Sequence, residues 1–375
     1  MYLFCYGTRP EIIKMFPLIR KFSEKNITFK TLFSGQHEDL FKQFSEIIPN
    51  PDYTLNNIMK HGQDLNQLSS KIMNNFNEII NKEEFKYVIV QGDTTTAYTI
   101  ALSCFHRKIK VIHLEAGLRT WKKYDPYPEE MNRCLISQIA SIHLCPTTQS
   151  VENLRKENIT ENVFLVGNTV VDAFEIIASN DTTDIKKKES TNKKNILVTL
   201  HRRENRGDKI KKMWDQLNEL SNEYHFIYLL HPSLKEAETY LSNKITKQQP
   251  VDYFKMTEMI KNCDGIITDS GGLQEEAVCA SKNVIVCRET TERPETINSG
   301  WGVLVGTNIK DNISFLKNNN QNLQNPYGEN VCEKITRKLI KKCKTCNKYY
   351  DIDDLLYEDW GNKKSYFCPE CKNKI

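Results

Sequence analysis

Residues 265–295 read GIITDSGGLQEEAVCASKNVIVCRETTERPE. The apolar run Gly265-Ile266-Ile267-Thr268 predicts a strand that stops at Asp269-Ser270-Gly271-Gly272. Leu273, Ala277 and Val278 then recur at helical spacing around Glu275-Glu276, read as an acidic first turn. Residues 283–287, Asn-Val-Ile-Val-Cys, make a second strand that ends in the polar cluster 288–293. Strand, small-residue turn, helix and strand form a parallel α/β unit. Backbone N–H groups at such a turn can cradle a phosphate, although glycine also serves there for close packing alone.

The same pattern repeats on both sides of this stretch. Upstream, residues 195–200 form a strand closing in His201-Arg202-Arg203-Glu204-Asn205, and Ile210, Met213, Trp214 and Leu217 give one helical face. Residues 226–230 form a strand ending in His231-Pro232, and residues 302–306 form a last strand downstream. Residues 181–195, DTTDIKKKESTNKKN, are charged and aperiodic, and read as a linker.

Before the linker, strand 2–6 runs into Gly7-Thr8-Arg9-Pro10-Glu11 and a helix faced by Ile12, Ile13, Phe16, Leu18 and Ile19. Pro10 suits the first turn, where its missing N–H is not needed. Strand 30–34, helix 65–80 and strand 87–90 follow. Strand 87–90 ends in Gln91-Gly92-Asp93-Thr94, and strand 110–114 ends in Glu115-Ala116-Gly117. An aromatic, proline-punctuated loop at 124–128 leads into Glu129-Glu130-Met131-Asn132-Arg133, and strands 142–145 and 163–166 complete this half.

Repeated units of this kind specify two Rossmann-like domains with ligands at the C-terminal strand ends, the two sets of ends facing each other across a cleft. In the first half those ends carry Arg9, Lys14, Asp93, Glu115, Glu129 and Arg133. Taken singly, the cations read as solvated charges and the acids as helix caps. Their convergence on neighbouring edges of one sheet points to chemistry.

At 375 residues the chain has room for two domains and a small third. Its 39% hydrophobic and 27% charged content is that of a globular protein, and a net charge of +4 argues for no polyanionic partner. No apolar run reaches the roughly twenty residues that span a bilayer. The opening MYLFCYGTRPE shows no cationic leader, so a reducing, cytoplasmic setting without membrane attachment is expected. Cys5, Cys104, Cys134, Cys145, Cys263, Cys279, Cys287 and Cys332 are scattered singly and read as buried thiols.

Ten motifs together resemble the non-hydrolysing UDP-N-acetylglucosamine 2-epimerases: YGTRPEIIK (6–14), GQH (35–37), GDTTT (92–96), HLEAGLRT (113–120), PYPEEMNR (126–133), VGNTVVDA (166–173), HRRE (201–204), TDSGGLQEEA (268–277), TTERPE (290–295) and NPYG (325–328). The resemblance implies the glycosyltransferase B-type architecture, with domains at 1–172 and 173–326, a helix at 327–342 crossing back to the first, and a homodimer. It implies interconversion of UDP-N-acetylglucosamine and UDP-N-acetylmannosamine, serving polysaccharide biosynthesis, with no cofactor for catalysis. UDP is eliminated to 2-acetamidoglucal and added back after protonation of C2 on the other face. Asp93, Glu115 and Glu129 are then the proton-transfer carboxylates, with His201 assisting departure of UDP. Arg9, Lys14 and Arg133 orient the sugar and diphosphate, while Ser270, Gly271, Gly272, Glu276 and Arg293 hold UDP. Alternatives are epimerases of diacetamido or uronic acid UDP-sugars, a hydrolysing epimerase releasing N-acetylmannosamine, a glycosyltransferase on the same scaffold, and an inactive sugar-nucleotide-binding module. Bacterial members also carry an activating second substrate site. Gln36, His37 and Gln63 match its surroundings, whereas Asp39 and Gly62 stand where longer polar or cationic residues are expected.

The tail, 343–375, departs from that family. Cys343-Lys344-Thr345-Cys346 and Cys368-Pro369-Glu370-Cys371 are two C-x-x-C pairs 21 residues apart. Paired knuckles suit tetrahedral zinc, and a segment with so little apolar mass needs the metal to fold. A structural zinc ribbon is expected over redox or unpaired cysteines. It would stabilise the terminus or dock a protein partner. Asp351, Asp353, Asp354, Glu358 and Asp359 argue against nucleic acid.

Overall fold

The computed structural model describes residues 1–35, 47–55, 58–59, 62–180, 193–318, 322–346, 348–351, 356–359 and 364–372. The chain divides into two compact units, Met1–Asp172 with Gly328–Ile375, and Ala173–Tyr327.

The first unit is built on β1 (Tyr2–Tyr6), β2 (Phe29–Phe33), β3 (Tyr53–Thr54), β4 (Tyr87–Gln91), β5 (Lys110–Leu114), β6 (Ile142–Cys145) and β7 (Val163–Leu165). They form one sheet in the order β3-β2-β1-β4-β5-β6-β7, every neighbouring pair parallel. The strand order reverses between β1 and β4, the switch point where doubly wound sheets bind ligands. β1 and β4 are buried at every residue, which explains their unbroken apolar runs. Around the sheet lie α1 (Arg9–Glu24), α2 (Leu65–Ile80), α3 (Thr95–His106), α4 (Glu129–Ile139), α5 (Thr148–Lys156) and α6 (Val170–Asn180), within which the unit boundary falls.

Glu11 fixes the start of α1 and ties two loops of the switch point together. Its carboxylate accepts from Gly7 N (2.9 Å), Thr8 N (2.7 Å), Thr8 Oγ1 (2.8 Å) and Thr94 Oγ1 (2.6 Å). Burial pushes its carboxyl above the usual range, against the pull of those hydrogen bonds. Thr94, not Asp93, caps α3 by accepting from Ala97 N, which leaves Asp93 for another partner.

The second unit repeats the plan with β8 (Asn195–Thr199), β9 (His225–Leu229), β10 (Thr246–Gln248), β11 (Gly265–Thr268), β12 (Val284–Val286) and β13 (Gly302–Leu304). The order is β10-β9-β8-β11-β12-β13, all parallel, with the reversal between β8 and β11. Its helices are α7 (Asp208–Leu220), α8 (Ala237–Tyr240), α9 (Tyr253–Asn262), α10 (Gly271–Cys279) and α11 (Pro294–Asn298). Because α10 begins at Gly271, Glu275 and Glu276 fall in its second turn rather than its first, and both are buried. The chain then re-enters the first unit through α12 (Val331–Leu339). That helix stops short of the expected 342, because Ile340 turns extended (φ −135°, ψ 147°) and opens β14 (Ile340–Lys342).

Two histidines on adjacent strands, paired in register at the heart of the first sheet, make this unit acid-sensitive. Burial drives the His113 imidazole down to about 3, the carbonyl of Gly92 at 2.7 Å opposing it and His143, Arg119 and Arg133 adding to it. Burial likewise holds His143 down at about 4, helped by Arg119. Both folded-state values lie below the unfolded one, so stability is full above about pH 6.5 and falls as protons bind the unfolded chain. At pH 5 each histidine is expected to have removed about 2 kcal/mol. Urea unfolding at pH 7.5 and 5.0 checks this: a His143→Gln variant should lose about 2 kcal/mol less over that interval, and an equal loss sinks the account.

Candidate active site

In the first unit the candidate residues gather where β1, β4 and β5 end. Glu115 follows β5 and holds a left-handed backbone (φ 63°), a conformation that non-glycine residues adopt at a cost and that recurs at functional sites. Its carboxylate receives Lys14 Nζ at 2.6 Å and the Nε2 of Gln91. Lys14 is therefore a buried partner of an acid 101 residues away, not a solvated cation. Asp93 lies against Arg133, with Nη2 to Oδ2 at 2.5 Å, and its backbone carbonyl accepts from Asn132 Nδ2 at 2.8 Å. Arg133 also approaches Glu130 at 3.4 Å. Glu130 in turn accepts from the backbone N–H groups of Thr120 (3.0 Å) and Trp121 (2.9 Å), tying the loop before α4 to that helix.

Glu129 opens α4, and its Oε2 is buried with no hydrogen-bond partner among the described residues. Gly92, with φ 66°, sits between the two acids: a Cβ there would lie 4.0 Å from the Glu115 carboxylate. Arg9 begins α1 and is half-buried. The arrangement offers an ion-paired carboxylate, a second acid against an arginine, and a third, half-buried, whose Oε2 is buried without a partner among the described residues. These are three different environments for proton transfer.

In the second unit the corresponding strand ends are those of β8 and β11. Asp269 is fully buried and accepts from His201 N (3.0 Å), Arg202 N (2.9 Å) and Asn205 Nδ2 (2.9 Å). His201 Nδ1 lies 3.5 Å from Asp269 Oδ1, and its ring stacks on His231 with centroids 5.0 Å apart. Burial holds the His201 imidazole below its usual range, with Asp269 opposing and His231 adding to it. Ser270 is the N-cap of α10, and Gly271 and Gly272 open its first turn. A Cβ on Gly271 would come within 2.9 Å of Glu292 Oε1, whereas one on Gly272 would meet nothing within 4 Å.

Arg293 bridges Glu275 and Glu292 at 3.0 Å each, and Arg288 reaches Glu292 at 2.6 Å. Burial disfavours the charged form of Glu292, but Arg293 and Arg288 outweigh it and hold the carboxyl at about 2. Glu276 is buried on α10.

The sequence model described as UDP-N-acetylglucosamine 2-epimerase matches residues 20–340. The chain belongs to that family. Within it, a UDP-N-acetylglucosamine 2-epimerase of Campylobacter jejuni is 38% identical over 372 residues, covering 90% of this chain and 97% of the relative. One from Salmonella borreze is 40% identical over 333 residues, covering 83% and 87%. The crystal structure of the Neisseria meningitidis enzyme bound to UDP-GlcNAc superposes with a TM-score of 0.83 at 36% identity, covering 90% of this chain and 99% of that one. The two Rossmann-like units are the domain composition of the glycosyltransferase B type.

The family match ends before the tail. There β14 pairs with β15 (Tyr349–Asp351), and β16 (Leu356–Asp359) pairs with β17 (Lys364–Phe367) ahead of the short α13 (Pro369–Lys372). The Sγ atoms of Cys343, Cys346, Cys368 and Cys371 all lie within 4.8 Å of one another, with Cys346 and Cys368 at 4.0 Å. Four thiolates about 2.3 Å from a tetrahedral ion sit roughly 3.8 Å apart, so this donor set fits a thiophilic metal. Cys368 N donates to Cys343 Sγ at 3.3 Å, supporting one knuckle on the other.

Of the residues matched to the family's activating site, Gln63 contacts Met59 and accepts from Lys71 at 2.9 Å. Gln36 and His37 lie outside the described residues, as does most of the expected linker. Sequence reasoning missed Glu11, Gln91, Glu130, His231, Asp269 and Glu292, which hold the others in place. Only Glu11 carried a local signal, the Thr8-x-x-Glu11 spacing of a capping box.

Proposed function

We propose that this chain interconverts UDP-N-acetylglucosamine and UDP-N-acetylmannosamine by eliminating and re-adding UDP. The observation that carries the reading is the set of three acids at the ends of β4 and β5 and the start of α4, each in a different setting. The C2–H bond of the sugar breaks, its proton passing to a carboxylate. The electron pair forms the C1–C2 double bond of 2-acetamidoglucal, and the C1–O bond breaks with its pair on the departing β-phosphate oxygen. Return of UDP with protonation of C2 from the other face gives the epimer, so two acid–base groups are needed.

Asp93, Glu115 and Glu129 fill those roles. Lys14 and Arg133 orient the sugar and hold the carboxylates, and Arg9 reaches the diphosphate. The Ser270-Gly271-Gly272 turn, Glu276 and Arg293 retain UDP, and His201 assists its departure. The four tail cysteines hold a structural zinc ion, and the enzyme works as a cytoplasmic homodimer.

NMR of UDP-N-acetylglucosamine incubated with the protein in deuterated water tests the reading. Deuterium at C2 with UDP-N-acetylmannosamine forming is the expected result. Free N-acetylmannosamine would move the chain to the hydrolysing branch. Turnover of a diacetamido or uronic acid UDP-sugar alone would reassign the substrate, and absence of exchange with any of them would sink the elimination.

A further inference from the structure

The tail and the helix before it both hold the first unit, and they share one of its residues, Lys25. At its N-terminus α12 is held by Asp172, whose carboxylate accepts from Val331 N at 3.0 Å and Cys332 N at 3.4 Å. Along its length Glu333 meets Lys25 Nζ at 3.2 Å, and at its C-terminus the Leu339 carbonyl accepts from the Tyr2 hydroxyl at 3.5 Å. The chain passes without a break into β14, so the first cysteine knuckle is the turn of the β14–β15 hairpin.

That hairpin reaches back to the same place. Lys25 Nζ stands 5.0 Å over the ring of Tyr349, and Lys86 Nζ lies 3.6 Å from Asp351. Lys25 is thus held by α12 on one side and by β15 on the other.

Tyr2 is the first residue of β1 and Lys86 immediately precedes β4, so these contacts lie at the N-terminal ends of the strands. The acids lie at the other ends. A five-residue strand puts roughly 16 Å between the two poles. Among the described residues, the tail's own core is Cys343, Cys346, Cys368 and Cys371 with Tyr350, Tyr366 and Phe367. So small a core does not order a segment by itself.

We propose that the metal-folded tail is a clasp: by ordering the hairpin it fastens α12 to the base of the first sheet, linking metal occupancy to the stability of that unit and leaving the chemistry at the opposite pole untouched. The inference rests on the metal-binding reading of the four cysteines. Its consequence is measured on the full-length protein prepared with zinc, by metal content, thermal unfolding, amide hydrogen exchange and initial rates well below the unfolding temperature.

One zinc per chain is expected. Its removal by a chelator should lower the unfolding temperature by at least about 5 °C and cut the protection of residues 331–342 about tenfold, with kcat and KM changed less than about twofold. A Tyr349→Ala, Asp351→Asn double variant, which removes the tail's contacts but leaves the Lys25–Glu333 pair, should keep its zinc and show the same loss of protection. Zinc bound with unchanged exchange after chelation overturns the clasp and leaves the metal site standing. No zinc bound overturns the metal reading itself. Activity lost in step with zinc while 331–342 stays protected would place the tail in the chemistry and overturn the proposal.

Discussion

Glu115→Gln is expected to lower kcat about a thousandfold with a much smaller change in KM, because it removes a proton acceptor while leaving the shape of the site. The glutamate is held at both oxygens, by Lys14 at 2.6 Å and by Gln91. An amide keeps one acceptor for Lys14 but turns its NH2 toward the Gln91 donor, and it leaves the buried ammonium without a counter-charge. The variant should therefore also lose about 2–3 kcal/mol of stability. Turnover is read from formation of UDP-N-acetylmannosamine and from deuterium uptake at C2, and folding from thermal unfolding. A folded variant that still exchanges C2–H at the parent rate would remove Glu115 from proton transfer.

The second large effect is expected at a residue that touches no reacting atom. Asp269→Asn exchanges a carboxylate that accepts from two backbone N–H groups and the Asn205 amide for a side chain with only one acceptor. An NH2 group forced against donors in a fully buried site costs about 3 kcal/mol or more. The His201 loop then loses its anchor, and kcat should fall about a hundredfold. A merely structural role would not move the pH dependence, and here it should move in a defined direction. Asp269 opposes the burial that depresses His201, so without its charge the imidazole loses its proton at lower pH still, and the alkaline limb of the pH–rate profile, where a donor to departing UDP is lost, shifts to lower pH. An alkaline limb that stays in place, or moves upward, would show that Asp269 does not act through His201.

The central strands were legible because burial on both faces writes them as unbroken apolar runs. Residues 110–114, 142–145 and 265–268 were read to their observed ends. Two of the four edge strands were not: β3 has two residues and β10 reads Thr-Lys-Gln, and an edge strand needs no apolar run. The motifs marked turns at the strand ends, but not what holds them. Lys14 read as a solvated cation because its partner is 101 residues away, and Asp269 and His201 are separated by 68. A buried polar residue takes its role from a partner that topology supplies, and no local spacing records it. α12 was expected to run to 342. Its end at Leu339 is set by pairing of Ile340 with Asp351, again a distant partner.

The split composition of the first unit bears on how the chain is made. Synthesis delivers Met1–Asp172 first, then the whole of Ala173–Tyr327, and only then the helix that the earlier segment lacks. At translation speeds of about 5–20 residues per second, that interval lasts roughly 10–30 seconds. Throughout it Asp172 and Lys25 wait without their helix on a nascent domain whose seam is open. The unit that starts first on the ribosome is completed last.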